Sequence, residues 1–274
     1  MVDRDESVRF HHVGLAVRRP TDLWPVMAGV LGGQYVSRGA AVGYGWTRLR
    51  FANGFIVEGV HPEGDVRSDF LERFLQRSGV GPHHLTFHVD DLADMLDRLT
   101  GAGYEPLAVD MDNPVWHEAS LHPDQAFGTV VQLVEEQGPP PEPLPPPEGF
   151  PDVEYDRPVA ALGRVVHAVR DLQGALGLYR DVLGGRVVST GSAVDGNHWV
   201  ELGWGGPGRL RLLEAQHAEI AEWVGDRPGR TRHLFFSFDE PEYVPGVRKV
   251  ASGRYVVDPD DILGTRLVIA SSAR

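Results

Sequence analysis

Apolar residues recur at two periods along the chain, which predicts short strands alternating with amphipathic helices. Helical spacing is clearest in DDLADMLDRLTGAG from Asp90 and DLQGALGLYRDVLGG from Asp171, each opened by aspartate and closed by glycine. The apolar positions of the two helices are Leu92, Met95, Leu96 and Leu99, and Leu172, Leu176, Tyr179 and Leu183. Strand-like runs are TRLRFA, GFIVEGV, TVVQLVE, WVELGW and RLRLLEA.

The two halves of the chain repeat one another. VGLAVRRPTDLWPVMAGVLGGQYVSRG from Val13 aligns without a gap with VVHAVRDLQGALGLYRDVLGGRVVSTG from Val165, and HHLTFHVDD from His83 aligns with RHLFFSFDE from Arg232. FHHVGLAVRR and PHHLTFHVDD, both in the first half, are also alike. We therefore predict four related β-α-β-β-β modules in an α+β fold with strongly curved mixed sheets. The fourth module should lack its helix, because DEPEYVPGVRKV is interrupted by proline.

A proline-rich segment, EEQGPPPEPLPPPEGFPDVEY, separates the halves. Proline at this density favours extended polyproline II over helix or sheet. The predicted organisation is a domain at 1–136, a semi-rigid linker at 137–156 and a second domain at 157–274.

Composition narrows the possible partners. The net charge is −13, Lys249 is the only lysine, and no basic run is present, which argues against nucleic-acid binding. No apolar run is long enough to span a bilayer and the amino terminus lacks a signal-peptide pattern, so we expect a cytoplasmic protein without a membrane partner. With no cysteine, a bound metal must use His, Asp, Glu or Gln.

Strand alternation sorts the histidines of PHHLTFHVDD. His84, Thr86 and His88 share one face, and the opposite face, which includes His83, is largely apolar and suited to packing under the helix. The same alternation places His12 on the non-core face of the equivalent strand in the first module and excludes His11. His12 and His84 are therefore candidate metal ligands. His88 is a candidate acid or base, with a strand-capping role as the alternative.

Two further strands each place a polar residue in an apolar run. These residues are Glu58 in GFIVEGVHP and Gln132 in GTVVQLVEE. A buried polar group of this kind needs a partner. Two imidazoles, a carboxylate and an amide oxygen would make a four-ligand divalent metal site; the alternatives are an ion pair of Glu58 with Arg48 or Arg50 and a plain hydrogen bond for Gln132.

With these motifs the chain resembles the vicinal oxygen chelate superfamily, which includes glyoxalase I, methylmalonyl-CoA epimerase, extradiol dioxygenases and bleomycin-resistance proteins. The resemblance is carried by HHVGLAV, GPHHLTFHVDDL, LHPDQAFGTVVQLVE and VRDLQGALGLYRDVLGG, and the first half looks most like the epimerase branch. It implies that paired modules form two curved cups, one per domain. It also implies one divalent metal ion (Zn, Co, Ni, Mn or Fe) bound by His12, Glu58, His84 and Gln132.

The departures from the family pattern bear on the chemistry. Glutamine stands at position 132 where relatives carry a glutamate that helps to move a proton, so Glu58 is the better candidate base. The equivalent positions of the second half are Arg164, Arg211 or Leu212, His233 and Val268, which predicts a cup without metal. That cup is either structural or an anion site. Trp116, His117 and His122 are candidate substrate contacts at the mouth of the first cup.

Three functions remain open at this stage. The first is a glyoxalase- or epimerase-type isomerase or lyase, which handles a small vicinal-oxygen or carbonyl substrate through an enolate. The second is a resistance protein that sequesters a drug or metabolite. The third is an Fe(II) extradiol-type dioxygenase, which the glutamine disfavours. Four modules can complete two cups in one chain, which suits a monomer or a homodimer.

Overall fold

The computed structural model describes residues 7–64, 69–138, 142–151, 158–193 and 195–271. Four modules of four strands each follow one another, in the predicted order. In the first half the strands are β1 Val8–Ala16, β2 Gln34–Ala41, β3 Tyr44–Arg50, β4 Ile56–Pro62, β5 Gly81–Val89, β6 Leu107–Asp110, β7 Trp116–Leu121 and β8 Val130–Glu136. In the second half they are β9 Ala161–Val169, β10 Arg186–Ser192, β11 His198–Gly203, β12 Arg209–Glu214, β13 Gly229–Ser237, β14 Arg248–Ala251, β15 Arg254–Val257 and β16 Arg266–Ala270.

The helices are few and short. The α-helices are α1 Phe70–Ser78, α2 Leu92–Gly101, α3 Leu172–Leu176 and α4 Ala218–Val224; 3₁₀ turns lie at Pro20–Leu23, Pro241–Tyr243 and Pro259–Asp261, and π-helical turns at Trp24–Ala28 and Gly177–Val182. Asp91 and Asp171 cap α2 and α3 by accepting a backbone N–H bond. In the part of the chain that the structure describes, the fourth module has 3₁₀ turns and no α-helix, as the prolines in its sequence predicted. Helices α1 and α4 were not anticipated.

The strands form two mixed sheets of eight, in the orders β2-β3-β4-β1-β5-β8-β7-β6 and β10-β11-β12-β9-β13-β16-β15-β14. Within each module the first and last strands pair in parallel, and the connecting strands pair antiparallel. The α+β class and the module order are confirmed. Parallel pairing places the first and last strands side by side, so residues in register point to the same face.

Two compact units are each assembled from separate segments of the chain. The first comprises the described residues of Met1–His11, His84–Pro140 and Arg164–Arg232, and the second those of His12–His83, Pro141–Gly163 and His233–Arg274. In the second unit, Phe51 packs edge-on against Phe236, and a Cβ on Gly264 would lie 1.7 Å from the Val80 carbonyl oxygen. The domain boundaries drawn at the proline-rich segment stay a prediction.

The core of the first unit joins the second and third modules. Phe10 stacks on Phe87, and both rings contact Trp204. Backbones meet closely at Gly128 and Gly229, because a Cβ on Gly128 would lie 1.9 Å from the Gly229 carbonyl oxygen. The start of β13, the first strand of the fourth module, is therefore packed directly against the loop that precedes β8.

A fully buried histidine fixes that loop. His167 on β9 approaches the Phe127 carbonyl with Nε2 at 2.7 Å and the Thr231 hydroxyl with Nδ1 at 2.9 Å. A carbonyl oxygen only accepts, so Nε2 carries the proton and Nδ1 accepts from Thr231. Burial lowers the pKa of His167 to about 4, and the hydrogen bond to Phe127 opposes this shift. The ring is therefore neutral in the folded protein.

Candidate metal centre

The first and last strands of the first module bring His12 and Glu58 together. On the parallel pair β1–β4, Gly14 lies opposite Glu58 and His12 opposite Ile56, so the two side chains share a face. His12 Nε2 lies 3.5 Å from Glu58 Oε1, and both side chains are buried. A buried carboxylate beside a buried imidazole needs a positive partner to offset its desolvation.

Arg48 is a positive partner of Glu58. It lies directly opposite Glu58 on the antiparallel pair β3–β4, and its Nε donates to Glu58 Oε2 at 2.6 Å. The guanidinium also lies 4.6 Å from the centre of the Trp46 ring. Glu58 thus holds Arg48 with one oxygen and directs the other toward His12. Strand register decides the partner that the sequence left open between Arg48 and Arg50.

His84 completes a three-residue group. His12, Glu58 and His84 each offer one ligand atom, and these atoms all lie within 4.8 Å of one another. Two ligands about 2.1 Å from one ion at a tetrahedral angle are about 3.4 Å apart, close to the His12–Glu58 separation. The donor set of two imidazoles and one carboxylate, with 0%, 4% and 6% of each residue exposed, could bind a divalent metal.

Gln132 lies on β8 in a defined hydrogen-bond arrangement. Its Oε1 accepts from the Thr86 hydroxyl at 2.8 Å and its Nε2 donates to Glu118 Oε2 at 2.8 Å. Trp116 Nε1 donates to the same carboxylate oxygen at 3.1 Å. Because a carboxylate only accepts, Nε2 must be the atom facing Glu118, and the amide orientation follows. Glu118 was missed from the sequence, although alternation along WHEASL places it on the face of Trp116.

His88 lies in an aromatic cluster. Its ring stacks on His11 with centroids 3.9 Å apart and meets Trp116 edge-on at 5.7 Å, and its Nδ1 lies 3.9 Å from Glu136 Oε1. The expectation that His11 belongs to the core face is wrong, because His11 stacks on a residue of the His84 face while neighbouring Phe10 packs on Phe87.

The other predicted histidines have separate surroundings. His83 packs edge-on against Phe74 of α1, and its expected packing under α2 stays a prediction. His117 Nδ1 lies 3.0 Å from Gln137 Nε2 and 3.7 Å from Glu135, the carboxylate that accepts from the first N–H of α2. It thus points to the opposite face of β7 from Trp116. His122 is exposed and accepts from the Asp124 backbone N–H at 3.3 Å.

Comparison with known proteins identifies the fold. No protein-family model and no curated protein matches the sequence. A triple mutant of 4-hydroxymandelate synthase from Streptomyces coelicolor is 15% identical over 97% of this chain and 93% of its own, with a TM-score of 0.67. A hypothetical protein from Staphylococcus aureus is 10% identical over 97% of this chain and 100% of its own, with a TM-score of 0.61. The chain has a vicinal oxygen chelate fold.

A third solved structure matches about half of this chain. Methylmalonyl-CoA epimerase from Mycobacterium tuberculosis is 23% identical over 48% of this chain and 90% of its own, with a TM-score of 0.43. At these identities the similarities establish the fold alone. Among the described residues, no helix is both long and apolar enough to cross a membrane.

The second half of the vicinal oxygen chelate fold carries a different set of side chains at the equivalent positions. Glu201 lies opposite Arg211 on β11–β12, just as Arg48 lies opposite Glu58 on β3–β4, so the cross-strand pair has its charges exchanged. Arg164 replaces His12 and also binds Glu201. The register settles the open choice in favour of Arg211, since Leu212 is fully buried.

Proposed function

We propose that this protein is a divalent-metal-dependent enzyme of the glyoxalase or epimerase type. Its substrate is a small molecule with a carbonyl or two adjacent oxygens. The observation that carries the proposal is the buried group of His12, Glu58 and His84, whose ligand atoms lie within 4.8 Å of one another. An ion bound there would supply Lewis-acid polarisation of the substrate carbonyl, which makes the adjacent C–H acidic.

Glu58 serves as a ligand in this proposal. Arg48 holds its Oε2 at 2.6 Å, and Oε1 lies toward His12. With both oxygens engaged, the carboxylate is oriented to give one oxygen to a metal ion and is poorly placed to collect a proton from carbon. The base role considered for Glu58 on sequence grounds therefore passes to another residue.

His88 is the proposed proton carrier. It lies on the strand face of His84 and Thr86, and its ring is held between His11 and Trp116. Glu136, 3.9 Å from Nδ1, would stabilise the imidazolium after proton uptake. Imidazole titrates near neutral pH, which suits a group that must take and return a proton.

Gln132 is the proposed fourth ligand. The Thr86 bond uses one lone pair of Oε1, and an amide oxygen has a second. Glu118 holds the amide nitrogen, which prevents the group from rotating to present a nitrogen instead. We expect Gln132→Ala to weaken metal binding less than His84→Ala, because a neutral amide oxygen is a weaker ligand for these metals than an imidazole.

The proposal is tested by solvent exchange after metal loading. The full chain, loaded in turn with Zn²⁺, Co²⁺ and Ni²⁺, would be incubated in D₂O with a panel of small 2-oxo and 1,2-diketo compounds, and deuterium incorporation followed by NMR. His88→Gln should retain metal and lose exchange, and the matched control His117→Gln should retain both. Exchange that is equal in both variants would refute the role of His88. A metal-free protein that binds compounds tightly without turnover would favour sequestration.

A second function is favoured by the ligand set itself. Two histidines and one carboxylate are the donors of non-haem Fe(II) oxygenases. In that case, oxygen consumption should depend on Fe(II) and should not be restored by Zn²⁺ or Ni²⁺. Deuterium exchange that occurs with Zn²⁺, Co²⁺ or Ni²⁺ and without oxygen uptake would favour the isomerase or lyase instead.

A further inference from the structure

Two arginines and one glutamate form a compact charged cluster in the first unit. Glu201 Oε2 accepts from Arg164 Nη1 at 3.0 Å and from Arg211 Nε and Nη2 at 3.0 and 2.8 Å. Each guanidinium group is a cationic donor of several N–H bonds. Two guanidinium groups therefore converge on one carboxylate oxygen in the cluster of Arg164, Glu201 and Arg211.

The burial of the cluster is uneven. The Glu201 side chain is 9% exposed, whereas those of Arg164 and Arg211 are 23% and 22% exposed. The two arginine side chains are thus more accessible to solvent than the glutamate side chain that they bind.

Arg211 is also held in a fixed plane. Its guanidinium lies 3.7 Å from the centre of the Trp199 ring, and Trp199 and Arg211 project from neighbouring strands β11 and β12. Stacking on an indole restrains a guanidinium and reduces the ordering cost of binding a planar oxyanion. In the first half the corresponding Trp46 lies 4.6 Å from Arg48, whose partner Glu58 belongs to the metal group.

We propose that Arg164 and Arg211 bind a small oxyanion, a carboxylate or a phosphate, at the position that the metal group occupies in the first half. Glu201 stands at the position of Arg48, and Arg211 stands at the position of Glu58. In this proposal the second half therefore has an anion site where the first half has a cation site. Guanidinium groups bind carboxylate and phosphate through paired N–H bonds. Glu201 holds the two arginines in place and moderates the affinity. This site does not depend on the proposed metal chemistry.

Calorimetric titration tests the proposal. The full chain, dialysed against EDTA so that a bound metal contributes nothing, would be titrated with inorganic phosphate and separately with succinate at low ionic strength. We expect one site for at least one probe. Glu201→Gln should bind about tenfold more tightly, because the competing negative charge is removed. Arg164→Gln and Arg211→Gln should each bind at least about tenfold more weakly.

The control is Arg248→Gln, which removes a positive charge that pairs with Asp258 instead. It should bind as the parent does. No binding of either probe up to about 10 mM by the parent and by a folded Glu201→Gln would overturn the proposal. The proposal would also be overturned if Arg164→Gln and Arg248→Gln reduced the affinity for the probe equally. Circular dichroism would check folding, and if Glu201→Gln does not fold, the comparison of Arg164→Gln with Arg248→Gln decides alone.

Discussion

Replacing His167 with glutamine should flatten the dependence of the free energy of unfolding on pH between about 4 and 6.5. The ring is neutral when folded, because burial lowers its pKa from 6.5 to about 4. The unfolded chain therefore binds a proton more readily than the folded chain. The resulting stability is fully present above pH 6.5 and is lost as the pH falls toward 4.

The magnitude follows from the two pKa values. A difference of about 2.5 units corresponds to about 3 kcal/mol in full, of which about 2 kcal/mol is lost at pH 5. Glutamine can still donate to the Phe127 carbonyl and accept from Thr231, but it does not titrate. Urea unfolding in EDTA at pH 7, 6 and 5 would give the three free energies.

The parent should lose about 2 kcal/mol more than His167→Gln between pH 7 and pH 5. His198→Gln, which removes an exposed imidazole, should follow the parent. If the parent and His167→Gln lose stability in parallel, His167 is not a buried neutral histidine and the account of the loop before β8 is wrong.

Two further predictions concern the site and the packing. Arg48→Met should weaken Co²⁺ binding about 10- to 100-fold in a spectroscopic titration, because Glu58 loses the group that orients it; an unchanged affinity would contradict this. Gly128→Ala should lower the free energy of unfolding by more than about 3 kcal/mol, because the new Cβ would lie 1.9 Å from the Gly229 oxygen. Gly177→Ala, where a Cβ meets nothing within 4 Å, should not lower the melting temperature, so equal melting in both variants would refute the close approach.

The sequence predicted the module order and three of the residues that the structure brings together. It could do so because strand alternation and an internal repeat both report which face a side chain occupies. His12 and His84 came from equivalent positions in repeated motifs, and Glu58 from a lone carboxylate in an apolar strand. Both signals can be recognised in the sequence without knowledge of tertiary contacts.

Other features depend on contacts that no local pattern contains. The stacking of His11 on His88 depends on how the two strands β1 and β5 lie relative to each other, which the local pattern does not contain. The choice of Arg48 over Arg50 follows from the β3–β4 register. The sequence contains arginine before glutamate in Arg48–Glu58 and glutamate before arginine in Glu201–Arg211. Only the strand pairing shows that each couple is a cross-strand ion pair. Helix α1 had a usable signal in the apolar spacing of DFLERFLQRS.

Metal content is the most direct test of the central claim that His12, Glu58 and His84 form a metal site. The full chain and its His84→Ala variant would be loaded with divalent metal, dialysed against metal-free buffer and examined by inductively coupled plasma mass spectrometry. We expect about one divalent ion per chain for the parent and a small fraction of that for His84→Ala. The control variant His117→Ala should retain the parent value. A parent chain without bound metal, or equal content in the parent and His84→Ala, would contradict it.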